Sequence, residues 1–142
     1  CALPISLCAV TVLMYALMAV ALGFALGQCG VSEEAANGFA NVFSLVVAFT
    51  GGAWFPASLM PDAMLVLGHL LPGWWYGDAL GAALGLGEHA ASGPDAGAWA
   101  SSTGLVLMYA AAFTCVGLAV GAIRARRPRS DTAERTTELA VG

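Results

Sequence analysis

Lysine is absent, and no arginine occurs before position 124. The five basic residues are all arginines, crowded into the last part of the chain. Charged residues of either sign make up only 10% of the 142 residues, against roughly a quarter in a soluble domain. Such a chain offers no basic surface for nucleic acid, and that role has no support. No Gly-x-x-x-x-Gly-Lys loop occurs, so the chain cannot cradle and hydrolyse ATP itself. The four cysteines (Cys1, Cys8, Cys29, Cys115) show neither CxxC nor metal spacing. They read as small apolar packing residues, and no disulfide between spans is expected.

What remains is apolar. Hydrophobic residues make up 59% of the chain, and mean hydropathy is +0.80. These values predict an all-α integral membrane protein. Residues 5–27 carry no charge, and such a run rises about 35 Å, enough to cross a hydrocarbon core of about 30 Å. Gly23 and Gly27 supply small-xxx-small spacing for a close neighbour, as do Gly117 and Gly121 further on. No basic n-region precedes the first run, so it does not read as a signal peptide. The chain is expected to be the carboxyl-terminal part of a longer polypeptide. Its Ala, Gly and Arg bias without lysine points to a GC-rich bacterial source.

A second span is predicted over 33–55. Ser32 suits its N-cap, and Glu33 and Glu34 then sit in the first turn, where the helix dipole favours negative charge. These two carboxylates are also candidates for contact with a cytoplasmic partner. Asn37, Asn41, Ser44 and Ala48 share one face. Asparagine is costly in lipid, so this face is expected to look at protein or water. Lining a substrate path is the sharper reading of Asn37, Asn41 and Ser44. Hydrogen bonding to another helix is the plainer role for the same side chains.

Gly51-Gly52-Ala53-Trp54-Phe55-Pro56 and Leu59-Met60-Pro61 then break the helix, with aromatics suited to a membrane interface. Apolar pieces over about 61–71 and 74–86, split by Pro72-Gly73, are too short to span. They read as two interfacial or re-entrant helices. His69 stands alone among apolar neighbours and reads as packed or interface-facing rather than as a ligand. Residues 87–97 are a loop, and Glu88, His89 and Asp95 there make only a weak metal set. A last span covers 98–123, with Trp99 at its entry. Arg124, Arg126, Arg127 and Arg129 follow it and mark the cytoplasmic side. Residues 1–127 thus read as a transmembrane domain, with spans 5–27, 33–55 and 98–123 and an extracytoplasmic region 56–97. Residues 128–142 read as a disordered cytoplasmic tail.

The order of these features resembles the type-2 ABC transporter permeases, the membrane-spanning subunits of ABC exporters. The shared pattern is Ser32-Glu33-Glu34-Ala35-Ala36-Asn37, a span with Asn41, Gly51-Gly52-Ala53-Trp54-Phe55-Pro56, Leu59-Met60-Pro61, Leu71-Pro72 and a final span ending in arginine. The resemblance covers residues 5–127 and corresponds to the carboxyl-terminal half of a six-span permease. It implies a separate cytoplasmic ATPase subunit that binds ATP and Mg, with no cofactor on this chain. It also implies a second permease copy, identical or not, and export of a drug-like, lipid or other amphipathic substrate across a bacterial plasma membrane, with the helix over 33–55 lining the path and Asn37, Asn41, Ser44 and Phe55 as the substrate-path candidates. An ion-coupled transporter ordinarily keeps a carboxylate or histidine within a span, and none of these spans has one. No span holds a nucleophile–base set or HExxH either, which argues against an intramembrane enzyme. A secondary transporter and a membrane anchor or assembly partner are the alternatives.

Overall fold

The computed structural model describes residues 2–52, 54 and 57–126. Among them all regular structure is helical. Two long helices, α1 (Ala2–Cys29) and α5 (Ala96–Arg126), flank α2 (Glu33–Thr50), α3 (Asp62–His69) and α4 (Pro72–Leu84). Single 3-10 turns occupy Ala57–Leu59 and Gly87–His89.

The long helices pack side by side and run parallel. Near the start of α5, the half-buried Trp99 donates its indole N–H to Thr11 Oγ1 at 2.8 Å. Further along, Gly117 abuts the Phe24 ring and Ala25, and Gly121 meets Gln28. At the far end Arg124 Nη1 donates to the Gln28 carbonyl at 2.7 Å. The glycine spacing at 117 and 121 thus admits a neighbour, as expected. The same spacing at Gly23 and Gly27 admits none among the described residues, since an added Cβ there meets nothing within 4 Å. Arg124 also satisfies a carbonyl that the end of α1 leaves open. Arg124→Ala should therefore cost about 1 kcal/mol of stability. A titration with SDS in mixed micelles reads that loss, and an unchanged midpoint would show the clamp to be idle.

Only 17% of the most apolar window of each long helix is buried. A core helix of a soluble protein is mostly covered; here Val12, Leu13, Val20, Met108 and Leu118 face outward. Exposed apolar helices of 27 and 31 residues are matched to hydrocarbon rather than water.

The span expected over 33–55 is shorter than predicted. α2 has 18 residues, a rise of about 27 Å, and its first turn is acidic. Two helices, not three, are therefore long and apolar enough to cross a membrane among the described residues. The last helical bond of α2 runs from the Gly51 N–H to the Val47 carbonyl at 2.8 Å. Gly52 then turns the chain with φ 75°, a conformation natural to glycine. At the other end Ser32 caps the helix, its hydroxyl accepting from Ala35 N at 3.3 Å.

α3 and α4 correspond to the two short helices expected after the break. Pro72 begins α4 rather than interrupting the chain ahead of it, because a first-turn proline lacks only an N–H that had no partner anyway. The hairpin runs along the bundle as far as the middle of α5, with α4 on the inside and most of α3 exposed. At its tip the Leu70 carbonyl accepts from Tyr109 Oη at 2.9 Å, and Tyr109 lies near the midpoint of the 31-residue α5. α4 returns antiparallel to α5, and its Ala82 carbonyl accepts from Asp95 N at 2.9 Å just before α5 begins. The core forms where α1, α4 and α5 meet. Met18, Val106 and Ala110 are buried there, with Tyr15, Trp75, Tyr76 and Phe113 packed around them. Trp75 and Tyr76 thus pack inside the bundle. Trp75 donates its indole N–H to the His69 carbonyl at 2.9 Å, so Trp75 and Tyr109 complete the open end of α3.

Candidate functional site

α2 joins the bundle through its carboxyl end, where it packs on α3 and α4. Glycines permit that approach: a Cβ on Gly73 would stand 2.4 Å from Val47 Cγ1, and one on Gly77 2.7 Å from the Gly51 carbonyl oxygen. α2 makes almost no contact with α1, and a groove of about 750 Å³ opens between α1, α2 and α4. Tyr15, Met18, Leu22 and Leu26 form the α1 wall, and Phe39, Phe43, Ser44 and Val47 the α2 wall. Tyr76 and Leu80 close it from α4. The lining holds no charged side chain; its polar groups are the Tyr15 and Tyr76 phenols, the Ser44 hydroxyl and glycine backbone. The two tyrosine rings pack on each other at 4.4 Å between centroids, and Phe39 stacks on Phe43 at 5.7 Å.

The sequence candidates are dispersed around this groove. Ser44 and Ala48 lie in its wall. Asn37 and Asn41 are exposed and lie outside the lining. Phe55 lies outside the described residues. Glu33 and Glu34 stand exposed in the first turn of α2. The groove face of α2 centres on Phe43 and Val47, which a polar-face reading assigns to the far side. Tyr15 and Tyr76 were not foreseen; their only signal was an aromatic ring within each of two apolar helices.

A second cavity, of about 880 Å³, lies between α3, α4 and the turn at Gly87–His89. It shares Gly51, Gly52, Gly77 and Leu80 with the first. Its walls include Asp78, Glu88 and His89. Asp78 is held on both oxygens: Oδ1 lies 3.0 Å from His89 Nε2, and Oδ2 accepts from the buried Ser102 hydroxyl. The serine touches the carboxylate and not the histidine, so this is not the arrangement of a serine hydrolase. Asp95 serves elsewhere, accepting from Gly97 N at 2.8 Å as α5 begins. His69 is exposed, with the Trp74 ring against its own at 4.4 Å between centroids.

Over 66 residues, 46% of its length, the chain is 39% identical to a Bacillus subtilis (strain 168) protein named "Putative transport permease YvfS". That stretch is 26% of the relative's length, so the chain matches about a quarter of it. No protein-family model and no solved structure matches the chain. The relative and the two exposed apolar helices support a membrane protein with a role in transport.

Proposed function

We propose that this chain is part of the membrane-spanning subunit of an ATP-driven exporter of the type-2 ABC class, and that the groove between α1, α2 and α4 is a section of its substrate path. The observation that carries this reading is the groove itself: a large uncharged cavity walled by a span-length helix and opened by the splay of α2. Its apolar walls with a few hydroxyls suit a drug-like, lipid or other amphipathic cargo. Similarity to a transport permease favours movement of such a cargo over its chemical conversion.

The parallel run of α1 and α5 bears on topology. If both cross the membrane, the chain between them must return to the face from which α1 started. α2 and the turn after it make that return, with α3 and α4 re-entering from the far side. This gives three crossings, with the arginines after α5 on the cytoplasmic face. Glu33 and Glu34 then also face the cytoplasm, where a separate ATPase subunit would supply ATP and Mg. A second permease copy would complete the path.

Purification of the tagged parent protein from its own membranes in mild detergent tests this directly. A stoichiometric ATPase subunit is expected to co-purify. Repeated purification without one, in detergent that keeps a known permease–ATPase pair together, would leave a secondary transporter or an anchor as the better reading.

A further inference from the structure

We infer that the cavity between α3, α4 and the Gly87–His89 turn is a binding site for amphipathic organic cations. Its function would rest on the transport reading, but its chemistry does not. Apolar side chains form one part of the wall, Leu65, Leu80 and Leu84 among them, with the Trp74 indole beside them. Carboxylates form another part, from Asp78 and Glu88. Asp78 is engaged by His89 and Ser102. Glu88 has no ion-pair or hydrogen-bond partner among the described residues, so its charge is available to a ligand. His89 is the one basic side chain in the lining, and the described arginines lie at the opposite end of α5.

This combination selects by charge as well as by shape. A bulky cation finds apolar walls for its body, an indole for a cation–π contact and a free carboxylate. An anion of the same size finds the same walls but two repelling carboxylates. The adjoining groove, reached past Gly51 and Gly77, offers no charge of either sign. A cation would therefore be held at the charged cavity and not in the neutral one.

Tetraphenylphosphonium and tetraphenylborate are nearly equal in size and opposite in charge. Scintillation proximity binding of each to the full chain in mild detergent tests the site. The cation is expected to bind tighter than the anion by about tenfold or more. Glu88→Gln should weaken cation binding about threefold and Glu88→Lys about tenfold. Because Glu88 is exposed and unpaired, neither change should disturb folding. Leu118→Ala, on the outward face of α5 and in neither cavity, should leave cation binding unchanged. Equal binding of the two ions, or undiminished cation binding by Glu88→Lys, would overturn the proposal. The assay needs no ATPase subunit, so its failure is distinct from failure of the co-purification above.

Discussion

Gly73→Ala is expected to lower the unfolding free energy by about 2 kcal/mol, and Gly73→Leu by more. The reason lies in what surrounds the missing side chain. A Cβ at this position stands 2.4 Å from Val47 Cγ1 and 2.9 Å from the Val47 carbonyl oxygen. A valine methyl can rotate away, but the carbonyl cannot yield in the same manner. It already accepts the Gly51 N–H at 2.8 Å, the bond that ends α2. Relief must come from separating α2 and α4, and only α3 otherwise packs closely on α2 among the described residues. Two companion variants separate this account from a general intolerance of helix changes. Val47→Ala combined with Gly73→Ala removes the closer of the two clashes and should recover less than half of the loss. Gly23→Ala adds its methyl in open space and should raise stability by about 0.5 kcal/mol, the ordinary gain over glycine within a helix. An SDS titration in mixed micelles measures all three. A Gly73→Ala protein as stable as the parent would mean that α2 and α4 are not closed together at this point. Loss of stability in Gly23→Ala would mean that another helix, outside this chain, packs on α1.

The long helices were legible because an uncharged run of sufficient length has few other destinies. The break at Pro72-Gly73 was legible for a similar reason, since proline and glycine punctuate wherever they stand. Depth was not. Trp74, Trp75 and Tyr76 have the composition of an interface belt, and their sequence does not reveal that Trp75 instead reaches the carbonyl of His69. That contact depends on a fold in which α3 turns back along α4. The reach of α2 was overestimated because no charge occurs between Glu34 and Asp62. Hydropathy alone gave no reason to stop at Thr50, although Gly51-Gly52 marks the place. Helical periodicity correctly groups Asn37, Asn41 and Ser44, but grouping does not say which face turns inward. That is set by the glycines of α4, which receive Val47 and Gly51 and bring Phe43 round to the groove.

The same separation in sequence hid Asp78, His89 and Ser102. They come from α4, a 3-10 turn and α5, and no spacing rule unites them. Their contribution is expected to be large. Asp78→Leu should cost about 2 kcal/mol, because it strips charge-assisted hydrogen bonds from two groups at once. The loss is not the full sum of two such bonds. The carboxylate is 25% exposed, so water already competes for it. Ser102 can also turn its hydroxyl to the carbonyl one helical turn earlier. Asp78→Asn keeps an acceptor for Ser102 and the same shape, and should cost less than half as much. The opposite outcome has a physical precedent, since replacing a buried polar set by hydrocarbon can be neutral or stabilising. That precedent concerns replacement of every member together. Asp78→Leu alone leaves His89 and Ser102 without the partner around which they are arranged. Asp78→Leu with His89→Leu and Ser102→Ala leaves none of the three, and most of the lost stability should return. If the triple variant is instead the least stable of the series, packing rather than polar pairing holds this end of the bundle. If Asp78→Leu alone matches the parent, the carboxylate is not a structural tie and belongs wholly to the cavity it lines.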